Sequence, residues 1–381
     1  MVVRVCHYGP VTAIVLITLI TCSATYSAYQ LWSLPAHVVY FFRTIHFVTM
    51  YTWIILIVKN FLQAIYTMGY VPHGWAPANK SDKQYLQYCH TCQSWKAPRS
   101  HHCSQCGRIG TQRRCVLKMD HHCPWVNNCV SHNNQPSFCR FLAYVVCGCS
   151  HALIINMNFL YRLFTREYVI HRRHGGLLIN TYTIMSVLLG SGLAIGVIIG
   201  VGLLLGVQLK GIIQNKTQIE DWIVAKAKRR RKNSADPIEP FVYPYHLGYW
   251  QNFKEVINLS GVARGNGITW TIRPGCDQYT LTVEQLEQKK LKKKQSVECI
   301  IKESYNGSWC TCRYGIKAWC CRPILEGDYI VVNNNEVFTL TRWQRYWVYG
   351  DLVISDEDKQ AGLRRRGWFP RRCIKLPDKH D

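Results

Sequence analysis

The stretch IMSVLLGSGLAIGVIIGVGLLLGVQL, residues 184–209, runs for 26 residues without a charged side chain. About 20 consecutive apolar residues are enough for a helix to cross a bilayer. The stretch therefore predicts a transmembrane helix and places the chain among integral membrane proteins. Within it, Gly192, Gly196 and Gly200 recur every four residues on one face, which suits either close helix contact or a hollow beside the helix.

Three weaker apolar runs precede this stretch, at Val11–Tyr29, Ile45–Tyr66 and Phe141–Phe159. Each is long enough to span a bilayer, although Lys59 interrupts the second run and His151 the third. We expect four transmembrane helices followed by a long soluble tail. The alternative is that one or two of the four are buried helices of a soluble core.

The orientation follows from the order of the spans and from their flanking charges. The second span would run towards the cytosol, and the connection that follows it, residues 69–140, carries nine Lys and Arg residues, as the positive-inside rule favours. The first run also resembles a secretory signal peptide, because Arg4, an apolar run and small residues near Ser27-Ala28 follow in that order. Cleavage would leave residues 69–140 in the cytosol. Four arginines oppose this orientation, since they would lie on the luminal side: Arg162, Arg166, Arg172 and Arg173.

The net charge of +24 raises the question of nucleic acid. The basic runs at residues 228–232 and 289–294 lie in the predicted cytosolic tail, where attraction to anionic lipid headgroups explains them more simply. Solvated linker charge is the alternative. We expect a membrane partner and no nucleic acid.

Cysteine and histidine are concentrated between Cys89 and Cys129, where seven cysteines and five histidines occur. In a reducing cytosol, metal binding explains such a cluster better than disulfides do. Two tetrahedral zinc sites need eight ligands, so four of the candidates are left over. His122 and Cys123 are successive residues, whose side chains point to opposite sides of an extended chain. We therefore do not expect them to bind one metal together, and the count leaves room for a free cysteine without identifying it.

The segment DHHCPW, residues 120–125, resembles the signature of the DHHC family of protein S-acyltransferases (palmitoyltransferases). Residues 127–130, Asn134 and Phe138 follow in the family's order, and residues 217–220 resemble its Thr-Thr-x-Glu motif. A C-terminal element of the family matches at Tyr245, Gly248 and Asn252. The resemblance covers the chain almost end to end.

The resemblance implies two structural Zn²⁺ ions, each with three cysteines and one histidine and no open position for substrate. The first zinc would take Cys89, Cys92, His102 and Cys115. The second would take Cys103, Cys106, His122 and Cys129.

The resemblance also implies that Cys123 is free and acts as the nucleophile. His121 would take the proton of the thiol, and Asp120 would hold the tautomer of His121 and stabilise its imidazolium. Cys123 would attack an acyl-CoA such as palmitoyl-CoA and pass the acyl group to a cytosolic cysteine of a substrate protein. The acyl chain would stay in a cavity among the helices, because moving it into water is costly.

Three positions depart from the family's pattern. Eight residues, Gly107–Arg114, separate Cys106 from Cys115 where the family has two, although longer loops cost little extra entropy. Ser131 replaces a glycine and Gln218 replaces the second Thr of the Thr-Thr-x-Glu motif. We expect all three departures to be tolerated.

The tail contains short β-rich runs that resemble the strands of an SH3 domain, including residues 327–330, 346–350 and 367–370. The chain is most like the SH3-bearing member of the family, which resides in the endoplasmic reticulum membrane. We expect this part to dock or regulate a protein partner. Just ahead of it, the cysteines at 310, 312, 320 and 321 are predicted acyl acceptors.

The predicted fold class is an α-helical integral membrane protein with four transmembrane helices, a cytosolic two-zinc DHHC module and a small C-terminal β-barrel. The predicted domains are 11–66 (helices one and two), 69–140 (zinc-binding catalytic module), 141–209 (helices three and four), 210–300 (basic tail) and 301–377 (SH3-like). The alternative function is a catalytically silent, zinc-containing membrane scaffold. A zinc transporter is a third interpretation, which we set aside because His46 and His151 form no cluster of ligands along the chain.

Overall fold

The computed structural model describes residues 2–31, 37–108, 114–164, 181–234, 239–258, 261–308, 311–323, 329–353 and 365–375. It divides into two compact units, one of Met1–Pro77 with Lys96–Thr280, the other of Ala78–Trp95 with Leu281–Asp381. Several residues singled out in the sequence lie outside the described ranges, namely residues 109–113 of the long loop, Arg166, Arg172, Arg173, Cys310, Gly327 and Asp328.

The helices are α1 Val2–Val5, α2 Tyr8–Leu31, α3 His37–Tyr66, α4 Ser104–Arg108, α5 Gln135–Phe164, α6 Thr181–Ile213, α7 Gln218–Lys232, α8 Tyr249–Val256, α9 Thr280–Lys294 and α10 Ile316–Cys320. The strands are β1 Tyr88–Cys89, β2 Ser94–Trp95, β3 His121–Cys123, β4 Asn128–Val130, β5 Val297–Ile301, β6 Tyr305–Asn306, β7 Val331–Val332, β8 Val337–Trp343, β9 Trp347–Leu352, β10 Arg366–Pro370 and β11 Ile374–Lys375.

Four helices of the larger unit are long and apolar enough to cross a membrane: α2, residues Thr44–Tyr66 of α3, α5 and α6. This confirms the four predicted helices. Helix α5 begins at Gln135, six residues before the predicted span. Asn134 lies at its start: the backbone carbonyl of Asn134 accepts a hydrogen bond from the Phe138 N–H (2.8 Å), and its side-chain oxygen accepts one from the Ser131 N–H (2.8 Å). The helices pack around a common apolar core that includes Ile155 and Val187.

Polar side chains join the helices within this core. Asn156 of α5 donates to the Ser23 hydroxyl of α2 at 3.1 Å, and a Cβ at Gly190 of α6 would lie 2.2 Å from the same oxygen. His46 and His151 also meet, with Nδ1 and Nε2 2.8 Å apart. The packing of α3 on α5 brings the two together across 105 residues of sequence, but among the described residues they belong to no group of three or more possible metal ligands.

The smaller unit is rich in strands. Its main sheet is antiparallel, with the strand order β10-β9-β8-β5-β11. Buried and more exposed residues alternate along β8, so Phe338 and Leu340 enter a core with Trp347 and Trp368. This alternation is the pattern of a strand with one buried face.

Candidate active site

The predicted signature forms a β-hairpin from strands β3 and β4. His121 pairs with Val130, His122 with Cys129 and Cys123 with Asn128. The turn between the strands closes with a hydrogen bond from the Asn127 N–H to the Pro124 carbonyl at 3.2 Å, and Asn127 adopts φ 45°, a left-handed conformation that asparagine tolerates.

Two asparagines attach this hairpin to the end of α3. Asn128 Nδ2 donates to the carbonyl oxygens of Ala64 (3.0 Å) and Thr67 (3.0 Å), and Asn134 Nδ2 also donates to the Ala64 carbonyl, at 3.1 Å. The last carbonyls of a helix have no partner within the helix. These side chains satisfy them and fix the hairpin at the end of the second span.

The start of α2 packs closely against the turn that follows Cys123. A Cβ at Gly9 would lie 1.9 Å from the Pro124 oxygen, so this helix approaches the turn as only glycine allows. Asn127 Nδ2 donates to the Arg4 carbonyl at 3.2 Å. A chain cleaved near Ala28, as a signal peptide would be, would lack these contacts.

On β3, His122 belongs to a group of possible metal ligands and the next residue, Cys123, does not, as the sequence predicts. His122 joins Cys103, Cys106 and Cys129, and the four ligand atoms lie within 4.8 Å of one another. His122 Nδ1 is 3.5–3.8 Å from the three sulfurs, and the Sγ atoms of Cys106 and Cys129 are 3.4 Å apart. Ligand atoms of a tetrahedral zinc site lie about 3.5–3.8 Å apart, given bonds of about 2.3 Å to sulfur and 2.0–2.1 Å to nitrogen. The donor set and its size therefore fit a closed zinc site.

The other predicted ligands come in two pairs that belong to different units. In the smaller unit, Cys89 and Cys92 share the β1–β2 turn, where the Cys92 N–H donates to the Cys89 carbonyl at 3.1 Å. In the larger unit, His102 and Cys115 are neighbours along an antiparallel bridge, since His101 and Val116 exchange backbone hydrogen bonds of 3.1 and 2.9 Å.

Cys123 lies outside the four-ligand group of the larger unit and is buried. The imidazole of His121 is close enough to Cys123 for the thiol to raise its pKa, and His121 Nδ1 is 2.7 Å from Asp120 Oδ2. The three side chains therefore lie in the order thiol, imidazole, carboxylate. The rings of His121 and Phe138 pack edge to face, with their centroids 6.0 Å apart.

Asp120 is held by donors from the end of the fourth span. Gln208 Nε2 donates to Asp120 Oδ2 at 2.9 Å, and the backbone N–H of Gln218 donates to Oδ1 at 2.7 Å. Burial raises the pKa of Asp120, but the hydrogen bonds from His121, Gln208 and Gln218 and the charge on His121 outweigh it, so the pKa is lowered. Burial lowers the pKa of His121, while Asp120 and Cys123 raise it to about 9.

Sequence reasoning missed the contact of Gln208 with Asp120. The signal was present, because a glutamine stands near the end of an otherwise apolar run. At Gln218, which replaces a threonine of the family motif, the contact to Asp120 comes from the backbone and the side chain is exposed.

Sequence reasoning also missed a buried ion pair between Arg99 and Glu220. Arg99 donates to both carboxylate oxygens of Glu220, at 2.6 and 2.8 Å, and its guanidinium carbon lies 4.3 Å from the ring centroid of Tyr245 and 4.5 Å from that of Trp270. Thr217 and Glu220 exchange hydrogen bonds in a capping box at the start of α7. Arg99 thus ties the cysteine-rich module to the helix whose first N–H reaches Asp120.

An apolar cavity of about 400 Å³ lies among the helices and reaches Cys123. Its walls come from α2, α3, α5 and α6, with Trp125 also in contact. Gly196 and Gly200 line the cavity. A Cβ atom added to either glycine would have no neighbouring atom of the described residues within 4 Å. The sequence allowed either close helix contact or a hollow beside the helix at these glycines, and the structure has the hollow.

A family model described as DHHC palmitoyltransferase matches residues 82–224. Palmitoyltransferase ZDHHC6 of Mus musculus is 40% identical over 387 residues, which cover 97% of this chain and 91% of the mouse protein. The Homo sapiens protein of the same name is 40% identical over 394 residues, and the Danio rerio protein 38% over 389, each with the same coverage. These similarities identify a protein S-palmitoyltransferase. The chain belongs to the DHHC palmitoyltransferase family.

Proposed function

We propose that Cys123 carries the acyl group during catalysis. His121 takes the thiol proton, and the resulting thiolate attacks the carbonyl carbon of an acyl-CoA thioester. The bond to the CoA sulfur breaks, CoA leaves as its thiol with that proton, and Cys123 becomes S-acylated. A cysteine thiol of a substrate protein then attacks the acyl-enzyme, and its proton returns to Cys123. The observation that supports these roles is a buried cysteine outside the four-ligand group, next to a histidine whose Nδ1 is 2.7 Å from Asp120 Oδ2.

The apolar cavity supports a long acyl chain as the transferred group. Because it extends among the four helices from Cys123, a chain bound there has its thioester end at the thiol and its methylenes away from water. Each methylene that stays out of water contributes about 0.8 kcal/mol. Palmitoyl-CoA is the co-substrate we propose.

We propose two structural zinc ions. Cys103, Cys106, His122 and Cys129 would hold one of them, and their spacing supports this. The second would take the residues that the family resemblance implies: Cys89, Cys92, His102 and Cys115. Bound zinc would fix the loops on both sides of Asp120–Cys123, and four protein ligands leave it no place in the chemistry.

We propose that the catalytic module and the C-terminus face the cytosol of the endoplasmic reticulum membrane. We propose the same domains as the sequence predicted, with residues 301–377 as an SH3-like module that binds an unidentified protein partner. The strand-rich sheet supports that module, and the basic last turn of α7 supports a cytosolic tail. Asn79 stands in an Asn-x-Ser sequon, so a glycan on it would contradict the orientation.

The test of the nucleophile is a labelled acyl-enzyme. Purified protein incubated with labelled palmitoyl-CoA should form a hydroxylamine-sensitive adduct, and Cys123→Ala should lose it while keeping its zinc. Cys149 also lines the cavity and is buried, so Cys149→Ala is a matched control that should still be labelled. An adduct that persists in Cys123→Ala, or one zinc fewer in that variant, would show that Cys123 was misassigned. A catalytically silent scaffold would form no adduct at all.

A further inference from the structure

Gln208 is a polar side chain buried near the end of a helix that is otherwise built to face lipid or apolar neighbours. It is only 3% exposed, and its amide nitrogen lies 2.9 Å from Asp120 Oδ2. The oxygen that it contacts is the one that accepts from His121 Nδ1 at 2.7 Å. An unpaired amide would be costly in this position. The hydrogen bond to Asp120 removes that cost.

We propose that Gln208 is a positioning residue for acyl transfer, which acts by fixing the rotation of the Asp120 carboxylate. This inference rests on the proposed roles of Cys123, His121 and Asp120. The last torsion of an aspartate joins a tetrahedral and a planar carbon and has a broad energy profile, so it needs outside contacts to be held. The Gln218 N–H holds Oδ1 at 2.7 Å, and Gln208 holds Oδ2.

The two donors belong to different segments. Gln208 lies on the fourth span, and Gln218 is the first residue of α7, after the break that ends α6 at Ile213. With both in place, Oδ2 stays directed at the imidazole. Without Gln208, the carboxylate keeps one fixed oxygen and can swing the other away from His121. The imidazole then loses the contact that fixes its tautomer and orientation.

The position of Gln208 separates this role from substrate binding. Gln208 is not one of the residues that line the acyl cavity, whereas Gly200, Val201 and Leu204 on the same helix are. Replacing Gln208 should therefore change the rate of the chemical step and leave the binding of the acyl chain unchanged.

The experiment compares Gln208→Leu and Gln208→Met with the wild-type full-length protein, using single-turnover acylation by labelled palmitoyl-CoA. Both replacements keep the approximate size and remove the donor. We expect the maximal acylation rate to fall about 10- to 100-fold, as the loss of a hydrogen bond to a charged group implies. The concentration of palmitoyl-CoA that gives half-maximal rate, and the zinc content, should stay at the wild-type values.

Gln214→Leu is the matched control, because it also replaces a glutamine by leucine and lies only six residues after Gln208. The Gln214→Leu variant should be acylated at the wild-type rate. A second comparison is made in the Asp120→Ala background. If Gln208 acts through Asp120, Gln208→Leu should add no further loss there.

Wild-type rates in both Gln208 variants would overturn the inference. An equal loss with and without Asp120 would also overturn it, because Gln208 would then act only on the packing of the span. Neither result touches the assignment of Cys123, which fails if the adduct survives in Cys123→Ala or if that variant loses a zinc. The two failures are therefore distinguishable.

Discussion

Replacing Glu220 by glutamine should destabilise the larger unit strongly. The side chains of Arg99 and Glu220 are both fully buried. Burial raises the pKa of Glu220, but the charge and hydrogen bonds of Arg99, with further hydrogen bonds from Thr217 and Tyr243, outweigh it and lower the pKa from 4.5 to about 2. That difference corresponds to about 3 kcal/mol, and removing one partner of a buried ion pair typically costs about 3–5 kcal/mol. We expect Glu220→Gln to fall in this range.

The next residue along the chain provides the matched control. Asp221 also pairs with a cation, Lys216, at 3.3 Å, but its side chain is 68% exposed. Exposed ion pairs contribute about 0–1 kcal/mol. Asp221→Asn should therefore shift the melting temperature in detergent little, while Glu220→Gln should lower it by many degrees.

The pH dependence gives a second signature with a defined sign. Because the folded-state pKa of Glu220 is lowered, its contribution is fully present above pH 4.5 and is lost as the pH falls towards 2. The difference in melting temperature between wild type and Glu220→Gln should stay constant from pH 7 to about pH 5.5. It should then narrow below pH 4.5. Both proteins have the same zinc ligands, so acid release of zinc affects them alike. Equal melting temperatures for Glu220→Gln and Asp221→Asn at pH 7, or a difference that does not narrow in acid, would refute the reasoning.

Adjacent histidines should behave oppositely: His122→Ala opens a tetrahedral site and should lose one zinc, whereas His121→Ala should keep both and slow acylation about 10²–10⁴-fold. Zinc loss from His121→Ala, measured by mass spectrometry, would reverse their roles. Gly200→Leu should project into the cavity and slow acylation by palmitoyl-CoA more than by a medium-chain acyl-CoA, and equal slowing would show that the acyl chain does not pass Gly200. Acyl-exchange labelling should detect Cys320 or Cys321, both exposed, in addition to Cys123, and a single labelled site would end the hypothesis of further acceptors.

The parts of the structure that the sequence predicted are those set by local pattern. Four apolar runs became four helices because hydropathy over 20 residues decides membrane insertion. The separation of His122 from Cys123 also followed, since successive residues of a strand face opposite ways. Both rules act within a few residues, so no knowledge of the packing was needed.

The contacts that the sequence did not reveal join distant segments. Gln208 and Asp120 are 88 residues apart, and Arg99 and Glu220 are 121 apart. A buried Gln or Arg has many possible partners, and only the packing selects one of them. Gln218 shows a different limit, because its contact to Asp120 uses a backbone N–H that every residue except proline offers. Replacing the family's threonine by Gln218 therefore could not reveal whether the hydrogen bond to Asp120 is present.

The partners of Arg99 and Asp120 impose an order in time on the growing chain. The ribosome completes the cysteine-rich module before Gln218 and Glu220 exist, and Glu220 is the 100th residue after Asp120. At about 5–20 residues per second, roughly 5–20 s separate the synthesis of Asp120 from that of Glu220. During that interval Asp120 lacks the N–H of Gln218, and Arg99 lacks its carboxylate. The Cys123 thiol is therefore made early, and the groups that hold Asp120 arrive only when more than half of the protein has been synthesised.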